Sequence, residues 1–237
     1  MLKNEVFDKK SLLGSYWELE ECDERSILSS SQKNNISPLL AKLLLIRNID
    51  DKLVNDYLYP NINEKLPDPF LLKGIEKAVE RTIKAIFEKQ KLGIIADYDV
   101  DGSTSASILY KFLNNFTNNI FVETPNRLSE GYGPNHRLMD QMLKKNVNLV
   151  FTLDCGTTSF DIIDNKKYSS LDVIVIDHHL SEAILPKVFS IINPNRFDEN
   201  NDYQQMSAVG VTFLFLMALR KKLRISKYFN HYNLEPN

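Results

Sequence analysis

Four short apolar runs, each closed by a polar turn, restrict the fold of this chain more than any other feature. They begin at Leu92 (LGIIA), Ile120 (IFVE), Leu149 (LVFTL) and Val173 (VIVI), and helical stretches are predicted after the first three, near 104–115, 136–146 and 158–167. Runs of four or five β-branched and aliphatic residues suit fully buried strands, and strands that alternate with helices pair in parallel through crossovers. The expected fold class is therefore α/β, a mainly parallel sheet flanked by helices.

The flanks read differently. Residues 1–65 are polar and rich in Asn and Lys, with one apolar segment at helical spacing, Pro38 to Ile49, behind Ser37 as a possible N-cap. They are expected to form an N-terminal helical extension. Pro60, Pro67 and Pro69 mark the boundary, because each removes a backbone donor and disfavours helix in the residue before it. The expected domains are thus 1–65 and 66–237. Ile75, Ala78, Val79, Ile83, Ile86 and Phe87 predict a long amphipathic helix within Leu71 to Gln90. A last helix is predicted from Ser207 to about Leu223, with a basic end (Arg220, Lys221, Lys222, Arg224, Lys227) that complements the helix dipole.

Composition narrows the partners. With 43% hydrophobic residues, 237 residues bury a sizeable core, and disorder is excluded as the main state. The charges nearly cancel, 29 basic against 31 acidic, so no global positive field attracts nucleic acid or lipid and any such contact must be local. Two cysteines, Cys22 and Cys155, make neither a disulfide framework nor a thiolate metal site; a reducing cytoplasm is the expected compartment. The longest apolar stretch, Val209 to Leu219, is about half of the ~20 residues a bilayer span needs, and no membrane association is expected.

The chemistry lies at strand ends. After the first run come Asp97, Asp99 and Asp101, then Gly102 and Ser103 opening a helix; the third run ends in Asp154; the fourth ends in Asp177, His178 and His179. Three carboxylates at alternate positions repel one another, and a cation is the usual remedy. Each piece alone has an ordinary reading: an Asp-rich turn, a helix cap, a pair of surface histidines. Together they bring carboxylate and imidazole to the carboxyl ends of parallel strands, where open α/β sheets place their sites. Such a donor set without thiolate suits Mn²⁺ or Mg²⁺ better than structural zinc, and two such ions serve phosphoester hydrolysis. Arg127, in a loop with Gly131 and Gly133, is a cation suited to phosphate. There is no Walker-type Gly-Lys-Ser/Thr sequence and no Gly-x-Ser-x-Gly elbow.

Asp97-Tyr-Asp-Val-Asp-Gly102, Asp154-Cys-Gly156 and Asp177-His-His179 resemble the first three motifs of the DHH phosphoesterases. The segment from Pro67 to Ile86, Pro125-Asn-Arg-Leu-Ser-Glu-Gly-Tyr-Gly133, Asn193-Pro194 and Ala208-Val-Gly-Val211 are similar to the RecJ type within that family, a likeness running from near Trp17 to the end. The resemblance implies a 5′ to 3′ exonuclease on single-stranded DNA in recombination and repair, with Mn²⁺ or Mg²⁺, two ions in the complete site. It implies Asp99, Asp101, Asp154 and His178 as metal ligands, Asp97 and Asp177 as catalytic carboxylates at or beside the metal, and His179 and Arg127 facing the scissile phosphate. Hydrolysis of short oligonucleotides, cyclic dinucleotides or pyrophosphate is the alternative within the family, and a non-catalytic remnant the alternative outside it. The chain departs from the pattern at Ala96 and Ala208, where family members usually carry glycine. It also ends before the family's fourth motif and second domain, so a separate chain supplying that half is an expected partner.

Overall fold

The computed structural model describes residues 10–16, 20–201, 203–231, 235 and 236; Trp17 lies outside them. Two compact units result, Met1–Leu66 and Pro67–Asn237.

The first unit is helical. Helix α1 (Glu24–Asn34) starts on Asp23, whose carboxylate accepts from the Ser26 amide, and stops at Asn35 in the left-handed region. Ser37 accepts from the Leu40 amide and Pro38 opens α2 (Pro38–Ile46), the cap and the helix that the leucine spacing predicts. Short helices α3 (Val54–Leu58) and α4 (Ile62–Lys65) follow, and Ala41, Leu44 and Val54 are buried.

The second unit begins with a 3-10 turn (Pro69–Leu71) and α5 (Ile75–Phe87), which is shorter than predicted. Gly74 ends the prediction's first turn: it has φ +82°, and a Cβ there would stand 2.4 Å from the Ile191 carbonyl oxygen. Next come β1 (Leu92–Ala96), α6 (Val100–Leu113), β2 (Ile120–Glu123), α7 (His136–Lys144), β3 (Leu149–Leu153), α8 (Phe160–Ile163), β4 (Asp172–Ile176), β5 (Ser190–Ile192), α9 (Ala208–Ile225) and α10 (Tyr228–His231). The helix predicted near 158–167 is only α8 and a 3-10 turn, because Asn165 turns its side chain onto the Lys167 amide and competes with helix.

All strand pairs are parallel, in the order β2-β1-β3-β4-β5. The order reverses between β1 and β3, which opens a crevice beyond their carboxyl ends. Every residue of β1 and β3 is buried, as strands covered on both faces must be. On one face Phe151 meets Phe215 of α9 with ring centroids 5.9 Å apart. On the other, Ile95, Val150, Val173 and Val175 pack with Leu138, Met139 and Met142 of α7 and with Tyr168. No helix among the described residues is long and apolar enough to cross a membrane.

Phe151 is fully buried in the central strand, so Phe151→Ala is expected to destabilise the fold by about 3–5 kcal/mol, read as a lower midpoint in urea with an unchanged slope.

Candidate metal centre

Strand register builds the site. Ala96 lies opposite Leu153 and Leu153 opposite Ile176, so the next residues, Asp97, Asp154 and Asp177, fall in one row across β1, β3 and β4. The ladder continues into that row: the Asp97 amide donates to the Leu153 carbonyl (3.1 Å), Asp154 to Ile176 (2.9 Å) and Asp177 to Ile192 (3.1 Å). The three aspartates are 3%, 2% and 1% exposed, a depth at which ionised carboxylates require compensation.

The carboxylates differ in what their oxygens meet. Asp177 is saturated: Oδ1 accepts from the amides of His178 (2.7 Å) and His179 (3.2 Å) and from His179 Nδ1 (2.7 Å), and Oδ2 from the Thr157 amide (3.1 Å). Burial alone would raise its pKa, but the hydrogen bonds from His179 and Thr157 outweigh burial and hold it below the usual range. Asp99 caps α6, one oxygen accepting from the Gly102 amide at 2.9 Å. Asp101 reaches across to α9, where Oδ2 accepts from the Ala208 amide (2.8 Å) and Oδ1 from the Val209 amide (2.7 Å). By contrast, Oδ1 of Asp97 and Oδ1 of Asp154 are buried with no hydrogen-bond donor. Burial, reinforced by the negative charges of Asp101 and Asp99, pushes Asp154 up to about 8, and burial likewise raises Asp97.

Among the described residues, two groups of donor atoms result, each within 4.8 Å: Asp97, Asp99 and Asp154; and Asp154, His178 and His179. Asp154 belongs to both. His178 Nε2 stands 3.2 Å from Asp154 Oδ1 without hydrogen-bond geometry, and 3.7 Å from Asp101 Oδ2. Of the expected ligands, Asp99 and His178 each group with Asp154, Asp97 joining Asp99, and Asp101, whose oxygens accept from the α9 backbone, comes within 3.7 Å of His178 Nε2. Arg127 lies over the Tyr98 ring, 5.5 Å from its centroid, which carries its loop to the first motif.

Tyr132, Asn193 and Asn195 also shape the site, and the sequence reading assigned them no role. The Tyr132 hydroxyl donates to the Asp154 carbonyl (2.6 Å) and lies 3.0 Å from His179 Nδ1. Its flanking glycines, both at positive φ, were the available signal. Asn193 donates to Thr157 Oγ1 and to the His179 carbonyl (both 2.9 Å), and Asn195 to the His178 carbonyl (2.5 Å), so the Asn193-Pro194 segment holds the backbone of the histidine pair.

A family model described as the DHH family, N-terminal domain, matches residues 91–233. The chain belongs to the DHH family. Its DHH triplet is Asp177-His178-His179, at the end of β4. The single-stranded-DNA-specific exonuclease RecJ of Bacillus subtilis is 31% identical over 87% of this chain and 26% of its own length. The RecJ of Escherichia coli is 35% identical over 70% of this chain and 29% of its length. This DHH chain thus spans between a quarter and a third of those relatives. Among solved structures, an exonuclease RecJ bound to manganese superposes with a TM-score of 0.58 at 29% identity, covering 64% of this chain and 38% of the other. RecJ of Thermus thermophilus in complex with Mn²⁺ shares the fold, with a TM-score of 0.63 at 22% identity over 87% of this chain and 28% of the other. Ala96 and Ala208 are both fully buried.

In this DHH site Gly102 has no permitted replacement: a Cβ there would stand 2.4 Å from the Asp97 carbonyl oxygen, a backbone atom. Gly→Ala within a helix ordinarily stabilises by roughly 0.5–1 kcal/mol. Gly102→Ala is expected to do the opposite, lowering the melting temperature in a thermal unfolding scan.

Proposed function

We propose that this chain carries the metal-binding site of a phosphodiesterase acting on single-stranded DNA. The Pro67–Asn237 unit is read as the DHH domain and the Met1–Leu66 unit as an appended helical element. The observation that carries this reading is the pair of buried, donorless carboxylate oxygens on Asp97 and Asp154, residues that group with Asp99, Asp154 also grouping with His178 and His179. A donor set of carboxylate oxygens and imidazole, with buried oxygens that no donor meets, fits Mn²⁺ or Mg²⁺. Asp99, Asp101, Asp154 and His178 would hold it, with Asp97 and His179 able to join, and Asp154 common to two ions. A bound divalent cation supplies charge compensation and Lewis acidity to phosphodiester hydrolysis.

The chain's own residues supply the rest. Asp177 accepts the Nδ1 proton of His179 and thereby leaves Nε2 free to hold or pass a proton at the phosphoester. Arg127, held over Tyr98, offers a planar cation to phosphate oxygens. Support for DNA as substrate comes from the RecJ relatives, which are described as single-stranded-DNA-specific exonucleases.

The assay is nucleotide release from 5′-labelled single-stranded DNA with Mn²⁺, with pyrophosphate as a competing substrate. Release is expected to fall by about 10²-fold or more in Asp154→Asn, the order seen when a group that compensates transition-state charge is removed. Turnover of pyrophosphate in preference to DNA, or release that survives chelation, would sink the proposal.

A second expectation follows from the Asp154 carboxyl at about 8. At pH 7 the metal-free protein holds this group protonated, and a cation needs it ionised, so uptake must expel the proton. Mn²⁺ affinity is expected to rise with pH up to about 8 and then level off. Calorimetry at pH 7 in buffers of different ionisation enthalpy should report about one proton released per Mn²⁺ bound; no buffer dependence would contradict it.

A further inference from the structure

Arg127 differs from the other arginines of the Pro67–Asn237 unit. Arg81, Arg137, Arg196, Arg220 and Arg224 each pair with a carboxylate. Among the described residues Arg127 makes no ion pair, and its guanidinium lies over the Tyr98 ring, 5.5 Å from the centroid. An exposed arginine beside an acidic crevice is drawn to the nearest carboxylate, and such a pair would neutralise it. Tyr98 stands between Asp97 and Asp99, so its ring engages the cation next to those carboxylates without cancelling the charge.

The turn that presents Arg127 is closed by Glu130. Asn126 opens it, its Oδ1 accepting from the amides of Leu128 (2.9 Å) and Ser129 (3.3 Å). Asn126 and Glu130 then exchange two bonds: the Glu130 amide donates to the Asn126 carbonyl (2.8 Å), and the Asn126 amide to Glu130 Oε2 (2.7 Å). Arg137, in the first turn of α7, grips the same carboxylate with both arms of its fork, Nε on Oε1 and Nη2 on Oε2 (2.7 Å). Nη2 also donates to the Thr124 carbonyl (3.2 Å), which ties the start of the loop to the same guanidinium. The hydrogen bonds from Arg137 and the Asn126 amide hold the Glu130 carboxyl down to about 2, so the clasp stays charged across the neutral range. At the apex Arg127 and Leu128 are exposed.

We propose that Glu130 is a positioning residue: clasped by Arg137, it fixes the Asn126–Glu130 turn so that Arg127 stands unpaired over Tyr98, open to a phosphate oxygen of the DNA strand. A phosphate arriving at the metal centre then meets a cation whose loop is already ordered, which lowers the entropic cost of the contact. The role in DNA binding rests on the reading of Arg127 as a phosphate contact given above; the clasp stands on the geometry of the loop alone.

NMR of the protein without DNA tests the clasp. Side-chain protons held over an aromatic ring resonate upfield, so Tyr98→Leu is expected to abolish that shift at Arg127 while leaving exchange of the Asn126 amide unchanged. Glu130→Gln is expected to abolish the shift as well and to speed exchange of the Asn126 amide about tenfold or more, the size that follows from losing a bond to a charged acceptor. An Arg127 shift that survives Glu130→Gln would overturn the proposal. Nucleotide release from 5′-labelled single-stranded DNA with Mn²⁺ tests the role. Glu130→Gln is expected to raise KM about tenfold with kcat little changed, and to add nothing when Arg127 is already alanine. Additive effects in the double variant would overturn the role, because Glu130 would then act by a route other than Arg127. Absence of release by the unsubstituted protein would count against the phosphodiesterase reading, and the NMR comparison would still decide the clasp.

Discussion

In-register parallel pairing is the constraint on which the site depends. Because Ala96, Leu153 and Ile176 lie side by side, the aspartates that follow them share one row, and the backbone ladder runs one residue past the strands to fix them there. No side chain has to search for the crevice. Its price is three carboxyl groups at the edge of a dry sheet, and the neighbouring elements answer them differently at each position. Backbone amides and an imidazole satisfy Asp177, and helix N-termini occupy Asp99 and Asp101. One oxygen each on Asp97 and Asp154 stays unanswered, and those two define where a cation belongs.

Much of this was legible in the sequence because strands buried on both faces announce themselves as apolar runs. β1 to β4 and their terminal aspartates could be read directly, as could the Ser37 cap and the apolar stripe of α5. Strand β5 escaped because three residues, Ser190 to Ile192, carry no periodic signal and lie between prolines 186 and 194. Helix α8 was overestimated because the reading gave no weight to an asparagine that binds its own backbone.

The division of labour among the carboxylates was not legible at all. Asp97, Asp99 and Asp101 alternate in one short run that ends at Gly102. What separates them is a helix that begins at Ala208, and no local pattern connects residue 101 to residue 208. Tyr132 is similar: its role arises from a loop that folds back on Asp154, and only the two glycines beside it hinted at an unusual backbone. Residue type foretold the chemistry of the site; long-range contact decided which residue performs which part.

The backbone of Asp154 has a bearing on how this domain can change over evolutionary time. It sits at φ +58°, in the left-handed region that residues other than glycine, asparagine and aspartate seldom occupy. Conformation therefore favours asparagine or glycine as replacements at this position, neither of which carries a charge. A lineage that abandons the chemistry can keep the turn, and with it the fold, by a single such exchange. Among distant descendants, asparagine or glycine after the third strand would mark a domain retained as scaffold, and aspartate one still under selection for its ion.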